Sequence, residues 1–411
     1  MFVIVNEKTK LPIKVWLPNE SYIEDSCLEQ AYHLSNLPFL HQWVALMPDT
    51  HMGMGMPIGG IIATNDVIIP NAVGVDIGCG MMFVSTTIPV EEIRYVMTPN
   101  GSLFQAMIGD ILRNVPVGFS RHKHTQSSLT LDIANGDQFD RYEQNSELLG
   151  VLEAGYFQIG TLGGGNHFIE LQEDDQGFLG IMIHSGSRNL GKQICDYFHT
   201  QAHELNKKWH TSVPDTHRLA FLPVTSKAGQ QYINWMQLAL DFAMENRQHM
   251  MFTVKSIMEK WIGKHTDVNF EYTMEINCHH NYAAIEHHYG KNVWVHRKGA
   301  TRAREGELAV IPGAMGASSY VVEGLGNEES FHSCSHGAGR NYSRKAATQK
   351  FTVDEVMGDL HNRGVILGKN NKKDVAEESR FAYKNIDEVM ENQQDLVKPV
   401  KQLKTIGVVK G

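Results

Sequence analysis

Six short segments between residues 47 and 340 combine glycine with Asp, Cys, His or Asn side chains. Most of them carry a group that can ligate a metal ion or accept a phosphoryl group. Glycine beside such groups lets backbone and substrate approach closely. Because the segments are far apart in sequence, only a folded chain can unite them, and together they predict one active site. They are Met47-Pro-Asp-Thr-His51, Val75-Asp-Ile-Gly-Cys-Gly80, Gly163-Gly-Gly-Asn-His-Phe168, His184-Ser-Gly-Ser-Arg188, Asn277-Cys-His-His-Asn281 and Ser333-Cys-Ser-His-Gly-Ala-Gly-Arg340.

Metal ligation is the first chemistry that these segments indicate. Asp76 and Cys79 are three residues apart in a glycine-rich loop, so a carboxylate and a thiolate could face one pocket. A Cys, Asp and His set favours Mn, Fe, Co or Zn over Mg. If Asp76 or Cys79 bridged two ions, the site would suit phosphoryl transfer.

Imidazoles from three segments would complete such a metal site. His167 and His184 are natural ligands, as is one of the adjacent pair His279 and His280. Neighbouring residues of a strand face opposite ways, so only one of that pair should enter the site. The pattern itself leaves open which one.

The segment around His336 suggests covalent chemistry. Its small residues leave room for a bulky electrophile, so His336 could act as a general acid/base or as a nucleophile. Exposed backbone N–H groups could hold phosphate oxygens, and Arg188 could clamp another phosphate. Neither the His336 loop nor the loop that ends in Arg188 matches a P-loop or a dinucleotide fingerprint, so a nucleotide would bind by another route.

Together, the segments resemble the RtcB family of GTP-dependent RNA ligases, and the likeness runs essentially end to end. Val-Asp-Ile-Gly-Cys-Gly, Gly-Asn-His-Phe, His-Ser-Gly-Ser-Arg, Cys-His-His-Asn-Tyr and Ser-His-Gly-Ala-Gly-Arg stand in the family's order, and the terminal Lys410-Gly411 also fits. Such enzymes join RNA with a 2′,3′-cyclic phosphate or 3′-phosphate to a 5′-hydroxyl end, using GTP and Mn²⁺. The resemblance therefore implies RNA and GTP as partners and leaves an activating accessory protein open.

The resemblance also implies roles for individual residues. His336 would attack the α-phosphorus of GTP and carry GMP, and Asp49 and Arg188 match further active-site positions. The implied ligands of two Mn²⁺, with Cys79 bridging, are Asp76, Cys79, His167, His184 and His280. The implied guanylate pocket comprises Asn166, Phe168, Glu170, Asn281, Pro312, Gly313, Ala314, Met315, Ser319, Gly337, Ala338, Gly339, Tyr383 and Lys410.

One residue departs from the family pattern. Ala314, in Pro312-Gly-Ala-Met-Gly316, stands where the typical motif has serine. Losing one neutral hydrogen bond costs on the order of 1 kcal/mol, which predicts weaker GTP binding without loss of activity.

Two other readings compete with a ligase. A dinuclear metallophosphoesterase would explain the metal ligands but not His336, Glu170 or Lys410. A non-catalytic RNA-binding relative would keep the fold and bind without turnover; Ala314 favours it, whereas the retained ligands oppose it. The physiological RNA is left open in every case.

Composition restricts the class of protein further. The chain has 411 residues, 42% hydrophobic and 20% charged, with a net charge of −9 that disfavours indiscriminate nucleic-acid binding. Five cysteines without a CxxC pair predict a reduced, cytoplasmic setting. No long uncharged apolar run occurs, so no membrane partner is expected.

The elements that must position these residues predict an α+β fold. We expect a single RtcB-like domain over residues 1–411, with a β-sheet core and surrounding helices. Strands are predicted at Val3–Val5, Ile13–Leu17, Gly59–Ala63, Val67–Ile69, Met82–Thr86, Glu271–Ile276, Asn292–His296, Leu308–Ile311 and Tyr320–Glu323. Helices are predicted over 91–115, 145–158, 189–210 and 227–263, with a helical tail from Asn341 and loops over 120–150 and 211–218.

Overall fold

Alternating and fully apolar runs do form strands, and amphipathic runs pack as helices against them. The computed structural model describes residues 1–136, 141–142, 146–372 and 374–411. The mixture of helices with mainly antiparallel sheets confirms the α+β prediction. Within the described residues, every helix is too short or too polar to cross a membrane. A single domain over residues 1–411 stays a prediction.

The strands range from two-residue ladders to a 14-residue strand near the carboxyl end. They are β1 (Phe2–Ile4), β2 (Ile13–Val15), β3 (Leu40–His51), β4 (Ile58–Thr64), β5 (Val67–Ile68), β6 (Gly80–Pro89), β7 (Met97–Thr98), β8 (Gly101–Ser102), β9 (Phe168–Asp174), β10 (Phe178–Ser185), β11 (Leu222–Pro223), β12 (Tyr272–His279), β13 (Asn281–His288), β14 (Lys291–Lys298), β15 (Ala300–Arg302), β16 (Leu308–Ile311), β17 (Ser318–Gly324), β18 (Ser333–Ser335), β19 (Ile366–Gly368) and β20 (Val397–Lys410).

The helices include one of 39 residues that runs across the molecule. They are α1 (Asp25–Ser35), α2 (Pro70–Val73), α3 (Val90–Ile93), α4 (Leu103–Asn114), α5 (Leu129–Asn135), α6 (Ser146–Gln158), α7 (Arg188–Lys208), α8 (Lys227–His265), α9 (Arg344–Lys350), α10 (Val353–Asn362) and α11 (Ile386–Glu391).

Two large sheets organise the fold. The amino-terminal sheet has the strand order β1-β2-β3-β4-β14-β13. The site-bearing sheet has the order β12-β6-β10-β9-β20-β17-β16, and β19 pairs with β20. One face of the site-bearing sheet packs on α4 and α8 through Ile183, Val409 and Met250. Its other face holds Phe83, Phe168 and Val408.

A β-bulge sets the direction of the side chains at the end of β20. The pairing of β20 with β9 shifts between Thr405 and Gly407. Leu403 and Val408, five residues apart, therefore lie in the same hydrophobic cluster, which a regular strand would not allow. The bulge likewise turns Thr405 and Lys410 to one face.

The predicted strands are all present with small changes in their bounds, as are the helices over 145–158, 189–210 and 227–263. The helix predicted over 91–115 is interrupted by the β7–β8 ladder, and β3, β9 and β10 were not predicted.

Two predictions were wrong. The segment after Asn341 is not a helical tail, because it is broken at Gly364, contains β19 and ends in β20. The predicted loop over 120–150 contains α5, whose start Ser128 caps; residues 137–140 and 143–145 lie outside the described residues. The loop over 211–218 contains only a short 3₁₀ turn at Asp215–His217.

Candidate active site

Strand register brings four of the predicted segments to one edge of the site-bearing sheet. Gly80, which follows Cys79, pairs with Ser185 on one side and with His279 on the other. His184 pairs with Phe168, the residue after His167. Because neighbouring strands place paired residues side by side, the loops that carry the predicted ligands must meet at this edge.

The predicted metal ligands lie in contact with one another. Cys79 Sγ is 3.4 Å from His167 Nε2 and 3.3 Å from His184 Nε2. His184 Nε2 is 3.4 Å from His280 Nε2, and Asp76 Oδ2 is 3.0 Å from His167 Nε2. The donor atoms of Cys79, His167 and His184 all lie within 4.8 Å of one another.

Backbone carbonyls orient two of the imidazoles. His167 Nδ1 is 2.9 Å from the carbonyl oxygen of Leu162, and His184 Nδ1 is 3.1 Å from that of Asn166. A carbonyl can only accept, so each Nδ1 carries the proton and each Nε2 presents its lone pair to the cluster.

The donor set fits a divalent cation. Burial lowers the pKa of His184 and His280 well below the ordinary value, which keeps both rings neutral. Several lone pairs thus converge on one another, an arrangement that a cation would stabilise. Burial also raises the pKa of the Cys79 thiol, and a bound cation would reverse that effect by favouring the thiolate.

Arg247 of α8 supports the Cys79 loop, although no motif in the sequence marks it as a site residue. Its buried guanidinium donates to the carbonyl oxygens of Gly78 and Ser185, each at 2.9 Å, and to Asn277 Oδ1 at 2.7 Å. His279 faces this side, with Nδ1 3.0 Å from the Gly78 carbonyl oxygen. His279 and His280 therefore point in opposite directions, and His280 is the one that meets the cluster.

His336 lies between the cluster and a cavity. Its Nδ1 is 2.6 Å from Oδ2 of the buried Asp49, and its ring centroid is 4.8 Å from that of His280. The backbone N–H of His336 also donates to Asp49 Oδ2 at 3.1 Å. Because the carboxylate can only accept a hydrogen bond, Nδ1 of the neutral ring carries the proton and Nε2 carries the lone pair.

A cavity of about 150 Å³ adjoins His336 and His184. Most of the predicted guanylate-pocket residues line it: Asn166, Phe168, Glu170, Pro312, Gly313, Ala314, Met315, Gly337, Ala338, Gly339, Tyr383 and Lys410. The cavity therefore lies where the ends of β9, β16, β17 and β20 meet the loop after β18.

Glu170 is the buried acid of this cavity. Its Oε2 accepts from Thr405 Oγ1 at 3.1 Å and from Gln172 Nε2 at 2.7 Å. Burial raises the pKa of Glu170 to about 7, although both hydrogen bonds and Lys410 oppose that shift.

Glu378 anchors the opposite wall and was missed in the sequence. It accepts from Lys410 Nζ at 3.1 Å, from Arg340 Nη1 at 3.2 Å and from the Tyr383 hydroxyl at 2.6 Å. Burial disfavours its charge, but the cations of Lys410 and Arg340 prevail and lower the pKa of Glu378 to about 2. Glu378 lies in a polar stretch with no motif, so the sequence held no signal for it.

Further wall residues were not among those implied for the guanylate pocket. These are His51, Ile58, Arg340 and Arg344. His51 and Arg340 end two of the six segments, which was an available signal.

Two residues of the implied guanylate pocket, Asn281 and Ser319, do not line the cavity, and neither does Arg188. Asn281 donates to the Asp76 carbonyl oxygen at 3.1 Å and accepts from the Gly299 N–H at 2.7 Å, so it fixes two loops. Ser319 Oγ accepts from the Gly313 N–H at 3.1 Å and supports the wall from behind. Arg188 donates to Thr161 Oγ1 at 3.0 Å and to the Gly118 carbonyl oxygen at 2.9 Å, on the other side of the cluster.

Comparison with known proteins assigns the chain to a family. Residues 30–411 match the family model described as tRNA-splicing ligase RtcB. The RNA-splicing ligase RtcB of Escherichia coli (strain K12) is 36% identical over 412 residues, which cover 97% of each chain. The tRNA-splicing ligase RtcB of Thermococcus kodakarensis is 32% identical, with 99% of this chain and 96% of the relative covered. The RNA-splicing ligase RtcB of Mycobacterium bovis is 33% identical, with 93% and 100% covered. The chain belongs to the RtcB family, which confirms the resemblance seen in its motifs.

Proposed function

We propose that this protein is an RNA ligase that joins 3′-phosphate or 2′,3′-cyclic phosphate ends to 5′-hydroxyl ends. It would use GTP and two Mn²⁺, and His336 would carry GMP. Membership in a family whose curated relatives are named RNA-splicing ligases supports RNA joining. The observation that carries the proposal is the position of His336, held by Asp49 between a cluster of metal-ligand type and a cavity of nucleotide type.

His336 would act first, as the nucleophile. The hydrogen bond to Asp49 keeps the proton on Nδ1, so the Nε2 lone pair can attack the α-phosphorus of GTP in line. The Nε2–P bond forms as the bond to pyrophosphate breaks. Asp49 would then stabilise the positive charge that develops on the imidazole.

The guanine base would be held by the far end of the cavity. Ionised Glu170 can accept from the guanine N1–H and 2-amino groups, and the Tyr383 ring offers a stacking surface. Lys410, whose ammonium is 3.1 Å from Glu378 Oε2, supplies a positive group beside the guanylate.

RNA ends would then react in turn. A 2′,3′-cyclic end would first be hydrolysed by water, which breaks the P–O2′ bond and gives a 3′-phosphate. An oxygen of the 3′-phosphate then attacks the phosphorus on His336, the P–N bond breaks, and GMP moves to the RNA. The 5′-hydroxyl attacks this activated 3′-phosphate and releases GMP. The activation is needed because a bare phosphate monoester is a poor electrophile. Divalent ions held by Cys79, His167, His184, His280 and Asp76 would supply positive charge beside the phosphoryl oxygens.

Labelled GTP tests the proposal. After incubation with Mn²⁺ and α-labelled GTP, the intact protein should gain the mass of one GMP, in an acid-labile bond that peptide mapping places on His336. His336→Ala should bind Mn²⁺ yet take no label, whereas His332→Ala, a matched change near the same segment, should label normally. Label that persists in His336→Ala would contradict the role of His336, and an unlabelled wild-type protein would favour a phosphoesterase without a guanylate intermediate.

A further inference from the structure

We propose that the Phe119 loop, residues 117–124, binds the single-stranded RNA beside the reacting ends, with Phe119 stacking on a base. The inference rests on the proposed RNA substrate and adds a contact outside the metal cluster and the nucleotide cavity. Phe119 is fully exposed, although aromatic rings are usually at least partly buried.

The loop is held rigidly, so the exposure of Phe119 does not come from a frayed segment. The Ser120 N–H donates to the Val117 carbonyl oxygen at 3.1 Å, which closes a turn around Gly118 and Phe119. Gly118 has φ 63°, a conformation that favours glycine at this turn. After the turn, the His122 N–H donates to the Phe157 carbonyl oxygen at 2.9 Å.

The loop is joined directly to the segment that leads to the metal cluster. The Gly118 N–H donates to the Gly163 carbonyl oxygen at 2.8 Å, four residues before His167. The Gly118 carbonyl oxygen accepts from Arg188 Nη2 at 2.9 Å. The turn that presents Phe119 therefore borders the predicted phosphate-binding arginine.

The charge of the loop matches a nucleic-acid strand. Arg121 and Lys123 carry fixed positive charges and are exposed, as is His124. The Arg121 guanidinium lies over the Phe157 ring, 5.6 Å from its centroid. Cations next to an exposed aromatic ring form the usual surface for single-stranded RNA, where bases stack and phosphates pair with Arg and Lys. On a chain with a net charge of −9, this local positive loop is a distinct feature.

Binding of a short 5′-hydroxyl RNA without GTP provides the test. Phe119→Ala should weaken binding about 5- to 150-fold, the range for one stacked base, and Phe119→Trp should restore it. Phe252→Ala, which removes a ring that is 74% exposed on α8, is the matched control and should leave binding unchanged. If Phe119→Ala binds RNA within twofold of the wild type, the proposal is wrong.

Abasic RNAs distinguish stacking from a general loss of affinity. An abasic site at the stacked nucleotide should weaken wild-type binding as much as Phe119→Ala does, and the variant should then show no further loss. An equal effect of Phe119→Ala at every abasic position would overturn the stacking role. Labelling of Phe119→Ala by GTP should match that of the wild type. If the proposed guanylate chemistry is wrong, neither protein will be labelled, and that result is independent of RNA binding.

Discussion

At the scale of single residues, burial and neighbouring charges shift the pKa values of the two buried acids of the cavity wall in opposite directions. Glu170 and Glu378 are both buried in the cavity wall, yet burial raises the pKa of Glu170 to about 7 whereas two cations lower that of Glu378 to about 2. Glu378 is therefore a permanent anion that fixes Lys410 and Arg340. Glu170 is the acid whose charge state can follow the ligand.

We expect GTP affinity to rise as pH rises through about 7, the pKa of Glu170. Only the ionised carboxylate accepts both guanine donors. The stability of the ligand-free protein should depend on pH in the opposite direction. Folding raises the pKa of Glu170 from 4.5 to about 7, so its contribution to the free energy of unfolding is full below pH 4.5 and is lost as pH rises through 7. Equilibrium GTP binding from pH 6 to 8 measures this, and Glu170→Gln should bind weakly at every pH. A wild-type profile as flat as that of Glu170→Gln would count against the assignment.

Cys79→Ala should remove bound Mn²⁺ and abolish labelling by GTP, because its sulfur is the atom that both His167 and His184 approach. Metal content after gel filtration and labelling with GTP measure the two effects. Cys27→Ala and Cys195→Ala, at buried positions away from the cluster, should keep both activities. A Cys79→Ala protein that ligates at the normal rate would refute the metal role.

Ala314→Ser should lower the apparent KM for GTP by up to about tenfold, the equivalent of one hydrogen bond. Ala314 is buried in the cavity wall, so a hydroxyl there would face the proposed guanylate. The measurement is GTP-dependent labelling at a series of GTP concentrations. An unchanged or higher KM would mean that the wall has adapted to alanine.

At the scale of elements, the close approach of β6 to β12 sets the position of Cys79. A Cβ added to Gly80 would lie 2.1 Å from the Cys278 carbonyl oxygen, so no side chain fits between the strands there. The glycine after Cys79 thus determines how near the Cys79 and His280 loops can come.

Gly80→Ala should push β6 and β12 apart and lower the free energy of unfolding by about 1–3 kcal/mol, the usual cost of overpacking. Mn²⁺ affinity should fall as well, because Cys79 moves with the strand. Gly263→Ala in α8, where an added Cβ meets nothing, should instead raise stability by about 0.5–1 kcal/mol. Denaturant unfolding and metal titration of the two variants check the comparison, and equal stabilities would contradict it.

The sequence predicted the strands that contain a short apolar or alternating run bounded by Gly, Asn or Pro, such as β4, β14 and β17. It did not reveal β9, in which the polar residues Glu170, Gln172 and Asp174 are buried together with Ile169 and Leu171. Polar residues that face a ligand cavity look like surface residues in the sequence.

β20 was missed for a related reason. Its Lys and Gln residues, together with Pro399 and Gly407, read as a polar irregular segment. The motifs located most of the cavity wall but not Glu378, and most of the ligand cluster but not Arg247 that supports it. Their partners lie 32 and 169 residues away in sequence, at Lys410 and Gly78.

At the scale of the whole molecule, the site forms where the two sheets meet. Asp49 belongs to β3 of the amino-terminal sheet, whereas His184 and Lys410 belong to the site-bearing sheet. His336 follows β18 and is held against both by Asp49 and His280. His336 and the cavity are therefore in position only when both sheets are packed together.

The reaction proposed for this site predicts which RNA ends can be joined. RNA with a 3′-phosphate or 2′,3′-cyclic phosphate should join to a 5′-hydroxyl strand, since the 3′-phosphate must take GMP from His336. A 3′-hydroxyl and 5′-phosphate pair should not join. Ligation assays with the four combinations of ends, in GTP and Mn²⁺, measure the preference. Joining of 3′-hydroxyl to 5′-phosphate ends would overturn the proposed reaction even if His336 carried GMP.

The position of β20 has a consequence during synthesis of the protein. β20 (Val397–Lys410) lies between β9 and β17, so both keep an open edge until the ribosome has released this strand. Open edges favour pairing with other chains, so the nascent protein should be prone to such pairing until β20 has been made. Because Lys410 arrives with the same strand, the growing chain would lack this part of the cavity wall until β20 had been made.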